Sequence, residues 1–113
     1  MVNNQIFKDI TPQESSQIIK DNINNPEFFL LDVRTPAEFQ SGHLEGAVNV
    51  DYQSNFKVEI EQMDKEKKYL LYCKSGIRSA NALEIMRHFG FNEVYNMLGG
   101  ITYWADEGRP VLR

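Results

Sequence analysis

The chain has 113 residues, of which 42% are hydrophobic and 25% charged, and its formal net charge at pH 7 is -4. This length predicts a single domain over residues 1–113, with room for one core and no second domain. The negative charge argues against general affinity for nucleic acid or an anionic membrane, and it means that an anionic substrate needs a local positive site. No secretory signal or bilayer-spanning apolar run is present, so we expect a cytoplasmic protein.

The chain contains one cysteine, Cys73, and two histidines, His43 and His88. One cysteine cannot form an intramolecular disulfide, and we expect its thiol to be kept reduced. The two histidines are far apart in the sequence, so no convincing set of metal ligands can be assembled. We therefore predict that the protein holds no metal.

The first half of the sequence predicts alternating helices and strands. Thr11-Pro12-Gln13-Glu14 combines an N-cap hydroxyl, a proline at the first helical position and a capping-box glutamate, which predicts a helix through about Lys20. The apolar run 28–33 is typical of a strand buried on both faces. Thr35-Pro36-Ala37-Glu38 repeats the helix-start signal, and the run 47–50 predicts a short strand.

The second half continues the alternation. The predicted elements are a helix over 54–63, a strand over 68–72, a helix over 79–89, a strand over 94–98 and, after Gly99-Gly100, a helix over 101–107. This order predicts an α/β fold, with a mainly parallel sheet of about five strands flanked by helices on both faces. Sites in such sheets lie at the carboxyl ends of the strands, which is where Cys73 falls.

The segment from Cys73 to Ser79 predicts an anion-binding loop between a strand and a helix. Such a loop can turn its N–H groups inward above a helix N-terminus, and Gly76 supplies the backbone freedom that this needs. The same donors favour a thiolate and lower the pKa of Cys73, while Lys74 and Arg78 add positive charge. Two simpler interpretations stay open: Cys73 as a small buried hydrophobic residue, and Lys74 as a solvated charge.

The spacing within this loop favours sulfur chemistry over phosphate chemistry. Cysteine phosphatases place an arginine one residue further from the cysteine than Arg78 stands from Cys73. We expect the shorter loop to be too tight for a phosphorus under attack, and to suit the terminal sulfur of a persulfide.

Three separated signatures in the chain resemble the rhodanese family over about Ile6 to Val111. They are Leu31-Asp32-Val33-Arg34 with Glu38-Phe39, Gly42-His43-Leu44 and Gly46-Ala47-Val48-Asn49; then Tyr72 to Ser79; then Leu98-Gly99-Gly100-Ile101 with Trp104. The length is similar to that of the single-domain members of the family.

This resemblance implies a sulfurtransferase with a ping-pong mechanism. Cys73 would take the outer sulfur of a donor such as thiosulfate as a persulfide, and a thiophilic acceptor (cyanide, a thiol or a protein) would remove it. The resemblance places the substrate-binding groups in the loop, on Lys74, Ser75, Gly76, Ile77, Arg78 and Ser79. In it Arg78 would position an anionic donor, and no cofactor would be needed.

Four residues outside the loop, Asp32, Arg34, Glu38 and His43, are predicted to border the cleft in structural roles. We expect Arg34 to pair with Glu38 four residues on, Asp32 to bond nearby backbone, and His43 to be bonded into a turn, with general base as the alternative role of His43.

Three other functions remain open on the sequence. One is a phosphatase or arsenate reductase on the same fold, which the loop length disfavours. A second is a sulfur carrier or regulatory module that binds a protein partner, and a third is redox sensing at Cys73. We expect a monomer or weak dimer.

Overall fold

The computed structural model describes residues 5–113, which form five parallel strands and five helices. The elements are β1 (Ile6–Ile10), α1 (Pro12–Asp21), β2 (Phe28–Asp32), α2 (Pro36–Ser41), β3 (Ala47–Asn49), α3 (Phe56–Glu61), β4 (Lys68–Tyr72), α4 (Ile77–His88), β5 (Glu93–Met97) and α5 (Gly100–Asp106). The strand order is β1-β5-β4-β2-β3, and every neighbouring pair is parallel. The predicted α/β fold is confirmed. Across the described residues, no helix is long and apolar enough to cross a membrane.

Helices α1 and α2 begin as their sequences predict. The Thr11 hydroxyl accepts the Glu14 N–H at 3.1 Å, and the Glu14 carboxylate accepts the Thr11 N–H at 2.9 Å. Thr35 and Glu38 make the same reciprocal pair, at 3.3 and 3.0 Å. Both boxes satisfy N–H groups that have no acceptor within the helix, so these starts are fixed locally.

The central strands β2 and β4 are apolar because both of their faces are covered. Leu30 and Leu31 of β2 lie beside Leu70 and Leu71 of β4 in the sheet register. Helices α3 and α4 cover one face with the buried side chains Phe56, Ile60, Ala82, Leu83 and Met86. On the other face α1 and α5 contribute Ile18, Ile19, Ile101 and Trp104. In open sheets covered on both faces, sites lie at the carboxyl ends of the strands.

Strand β1 was not located by the sequence analysis. It is an edge strand that pairs with β5 alone, and of its five side chains only Ile10 is buried. Backbone hydrogen bonds to β5 therefore hold it in place, and these leave little trace in the hydrophobic pattern.

Several predicted boundaries differ from the structure. Helix α4 begins at Ile77 and not at Ser79, because the left-handed turn at Gly76 (φ 96°) ends the loop two residues earlier. Helix α3 is shorter than the predicted 54–63, and β5 begins one residue earlier than predicted. Such shifts at element ends are small beside the correct order of elements.

Candidate active site

Cys73 lies directly after β4, with 1% of its surface exposed. Its Sγ accepts three hydrogen bonds: from the Gly76 N–H at 3.1 Å, from the Ser79 N–H at 3.4 Å and from the Ser79 hydroxyl at 3.3 Å. The loop from Cys73 to Arg78 thus curls its donors around one sulfur atom, above the N-terminus of α4. This is the geometry of an anion-binding nest.

The surroundings of Cys73 favour its thiolate. Burial alone raises the pKa of the thiol, but the hydrogen bonds from Ser79 and Gly76, together with the nearby N–H of Ser75, outweigh burial and bring the pKa below its ordinary value. Cys73 does also pack in the apolar cluster on the α4 face. The interpretation of Cys73 as a small buried hydrophobic residue therefore accounts for where it lies. It does not account for the three hydrogen-bond donors around its sulfur.

Helix α5 holds the first half of the loop through backbone groups. The Cys73 carbonyl accepts the Ile101 N–H at 2.9 Å, and the Lys74 carbonyl accepts the Thr102 N–H at 3.1 Å. A Cβ at Gly100 would lie 2.3 Å from the Cys73 carbonyl oxygen, so only glycine permits this approach. A trans peptide points its carbonyl and N–H in opposite directions. Tying the carbonyls to α5 therefore turns the next N–H groups of the loop away from α5.

Arg78 pairs with Glu38 across the mouth of the loop. Its two terminal nitrogens lie 2.8 and 3.0 Å from the two carboxylate oxygens. The hydrogen bonds from Arg78, followed by those from Thr35, outweigh the opposing effect of partial burial and lower the pKa of Glu38 to about 2. The predicted pairing of Arg34 with Glu38 is wrong, because the capping box of α2 turns this carboxylate toward Arg78.

Arg34 pairs instead with Asp32, at 2.7 Å between Nη2 and Oδ2. Asp32 is fully buried, so its carboxylate needs a close cation, and the nearest guanidinium is two residues away. Asp32 also accepts the backbone N–H of Arg34 at 2.9 Å, which confirms the predicted bond to nearby backbone. Arg34 donates further to the Gly42 carbonyl, so the whole cluster braces the turn after β2.

His43 is bonded into its turn, as predicted. Its Nδ1 lies 2.8 Å from the Phe39 carbonyl oxygen, and its ring stacks on Phe39 with centroids 3.9 Å apart. Its backbone pairs with Leu112 of the C-terminal segment. Within residues 5–113, no group of three or more His, Cys, Asp or Glu side chains is placed to hold a metal ion.

A cleft of about 300 Å³ opens beside the loop, between α2, α5 and the C-terminal segment. Its walls include Lys74, Thr102 and Arg113, together with the paired residues Arg34 and Glu38. Lys74 and Arg113 have no carboxylate within ion-pair distance among residues 5–113. The cleft therefore offers the local positive charge that the net charge of the chain lacks.

The structure thus brings the loop residues together and separates them into two groups. Gly76 and Ser79 point donors at the sulfur, while Lys74, Ser75 and Ile77 carry exposed side chains on the outside of the loop. The anchoring of the loop by α5 is not predicted from the sequence, where the double glycine at 99–100 is the signal that points to it.

A family model for the rhodanese-like domain matches residues 15–107. The chain belongs to the rhodanese-like family. The match covers the loop, the turn at Asp32 and α5, which confirms the resemblance found in the sequence.

Among curated relatives of this rhodanese-like domain is a tRNA uridine(34) hydroxylase of Escherichia coli O6:K15:H31, which is 36% identical over 98 residues. The alignment covers 79% of the chain but only 28% of that protein. A hydroxylase of the same name from Yersinia pestis is 34% identical over 102 residues, with 29% of its length covered. The chain spans less than a third of the length of these relatives.

Solved structures share the fold over nearly the whole chain. A rhodanese-related protein from Thermoplasma volcanium is 31% identical with a TM-score of 0.76, and the match covers 93% of this chain and 97% of that one. A Rhodopseudomonas palustris protein of unknown function, named a possible tyrosine phosphatase, is 26% identical with a TM-score of 0.76, covering 94% and 85%.

Proposed function

We propose that this rhodanese-like domain is a sulfurtransferase that carries a sulfane sulfur as a persulfide on Cys73. The observation that carries the proposal is the set of three hydrogen bonds to Sγ at 3.1 to 3.4 Å. These hydrogen bonds favour the thiolate, which is the form that attacks a sulfur–sulfur bond.

In the first step the Cys73 thiolate attacks the outer sulfur of the donor. A new sulfur–sulfur bond forms to Sγ, the donor's own bond breaks, and the leaving group takes the bonding pair, as sulfite when the donor is thiosulfate. In the second step a thiolate or cyanide attacks the outer sulfur, and Cys73 leaves as the thiolate that began the cycle. Each half-reaction is balanced without a redox partner.

The loop stabilises the charge in both states. Ile77 and Arg78 occupy the first positions of α4, where N–H groups have no acceptor within the helix. When the negative charge moves from Sγ to the outer sulfur, these N–H groups and the helix dipole are available to it. The function of the loop is then similar to that of an oxyanion hole.

The charges around the loop favour Lys74 over Arg78 as the first contact for an anionic donor. Both terminal nitrogens of Arg78 are bonded to Glu38, whose carboxylate offsets the positive charge that thiosulfate would meet there. Lys74 and Arg113, by contrast, face the cleft without an acidic partner in residues 5–113. With its charge offset by Glu38, Arg78 is therefore expected to contribute less than Lys74 to the binding of an anionic donor.

The alternative functions fit the geometry of this site less well. A solved structure of the same fold is named a possible tyrosine phosphatase, so phosphate chemistry is an alternative. The loop here, however, has six residues from Cys73 to Arg78, and its arginine is bonded to Glu38. The named activity of the hydroxylase relatives belongs to proteins of which this chain covers 28%. A sulfur carrier dedicated to a protein partner would use the same persulfide and differ only in the donor.

The test is thiocyanate formation from thiosulfate and cyanide, with a protein persulfide as the second donor. We expect wild type to turn over, Cys73→Ser to be inactive, and Lys74→Gln to raise KM for thiosulfate several-fold. Lys57→Gln is the matched control, because Lys57 is an exposed lysine of α3 outside the cleft. Turnover by Cys73→Ser would overturn the covalent mechanism, and turnover of wild type with the protein persulfide alone would assign the carrier function.

A further inference from the structure

Asn96 is a polar residue at the centre of the sheet, with 2% of its surface exposed. It lies on β5 between Asp9 of β1 and Leu71 of β4. Its Nδ2 donates to the Asp9 carboxylate at 3.1 Å and to the Gly76 carbonyl at 3.4 Å. Both neighbours can only accept, so the amide nitrogen must face them.

We infer that Asn96 is a positioning residue for the Cys73 thiolate and acts through the backbone of Gly76. The Gly76 N–H donates to Sγ at 3.1 Å, while the Gly76 carbonyl accepts from Asn96. A glycine at φ 96° has wide backbone freedom, so contacts must select its conformation. Asn96 supplies the side-chain hydrogen bond to this glycine, and the Ala80 N–H supplies a backbone one at 3.1 Å.

The packing around Gly76 supports this role. A Cβ there would lie 3.1 Å from the Gly99 nitrogen and 3.5 Å from the Met97 carbonyl oxygen, so the loop rests directly on the end of β5. Helix α5 holds the carbonyls of Cys73 and Lys74, as described above. Asn96 thus adds a hydrogen bond at Gly76 to the two by which α5 holds the carbonyls of Cys73 and Lys74.

Burying the Asn96 amide is energetically unfavourable, which indicates that its hydrogen bonds serve a purpose. Its Oδ1 is buried and has no hydrogen-bond partner among residues 5–113. An unsatisfied buried acceptor is unfavourable, and an apolar residue of similar size would avoid it in a sheet whose other central positions are apolar. The bonds to Gly76 and Asp9 are the gain that accompanies this cost.

The inference deepens the proposed function, because its meaning for sulfur transfer rests on the persulfide cycle. Its test does not, because the thiolate can be titrated directly by its ultraviolet absorbance, with Cys73→Ser as the blank. If wild type acquired no sulfur while the titration depended on Asn96, the proposed function would fail and the positioning role would stand.

We expect Asn96→Leu to move the midpoint of the thiolate titration to higher pH by about 0.5 pH unit, since one weak hydrogen bond is lost behind the Gly76 donor. Val94→Ala is the matched control, because Val94 is a fully buried residue of the same strand that does not contact the loop through a hydrogen bond. An equal shift in both variants, or none in Asn96→Leu, would overturn the inference.

A second measurement covers the case in which Asn96→Leu does not fold. In wild type followed by NMR through the thiol titration, the side-chain amide resonances of Asn96 should move at the same pH as the backbone amide of Gly76. Movement at Gly76 with no change at Asn96 would contradict the coupling and overturn the inference.

Discussion

The Cys73 loop and the Asp32–Arg34 turn both lie at the carboxyl end of the sheet. Each holds a buried acidic side chain, but with a different kind of partner. Asp32 is matched by a full positive charge, at 2.7 Å from Arg34. The Cys73 sulfur receives only neutral donors, from Gly76 and Ser79. The ion pair at Asp32 is structural, whereas neutral donors around Cys73 suit the nucleophilic role proposed for its sulfur.

The largest expected effect is the loss of stability on replacing Arg34, which pairs with the buried Asp32. Arg34→Ala leaves the Asp32 carboxylate buried without its cation, so we expect the free energy of unfolding to fall by about 3–5 kcal/mol in urea titrations. Glu84→Gln, which removes the exposed pair with Arg87, is the control and should change it by less than about 0.5 kcal/mol. Equal small losses would show that the Asp32 pair is not a structural brace.

The next effect concerns the pKa of Cys73. Ser79→Ala removes the hydroxyl that donates to Sγ at 3.3 Å, so the pKa of Cys73 should rise. We expect the rate of sulfur loading at pH 7 to fall about three- to tenfold and to recover as the pH is raised. Stability should change little by comparison with Arg34→Ala. A loss of rate that stays constant with pH would remove Ser79 from control of the thiolate.

The smallest effect concerns the pair that joins the two regions, Glu38 with Arg78. The folded pKa of Glu38, about 2, lies below the ordinary value of 4.5. Its contribution to stability is therefore fully present above pH 4.5 and is lost as the pH falls through about 2. Glu38→Gln should be less stable than wild type at neutral pH, and the two unfolding curves should converge in acid. A difference that persists unchanged at low pH would contradict the assigned ion pair.

The sequence predicts well what is decided locally. The capping boxes of α1 and α2 and the apolar strands β2 and β4 are each fixed by a few adjacent residues, and all appear where expected. The loop at Cys73 is likewise a local signal, because strand end, glycine and helix start follow one another within seven residues.

What the sequence does not predict depends on distant partners. Glu38 meets Arg78 forty residues away, and Asn96 meets Gly76 twenty residues away. The charges and the amide are visible in the sequence, but the choice among several possible partners is made by the packing of α2 and β5 around the loop. Strand β1 was missed for a related reason, since its place is set by backbone pairing with β5.

The most direct measurement of the central claim is the intact mass of the protein after incubation with thiosulfate in the absence of reductant. Wild type should gain the mass of one sulfur atom, lose it on addition of cyanide and release thiocyanate, while Cys73→Ser should gain nothing. Asn96→Leu should gain the same mass more slowly at pH 7. A wild-type protein that gains no sulfur from thiosulfate or from a protein persulfide, or a Cys73→Ser variant that gains it, would contradict a persulfide on Cys73.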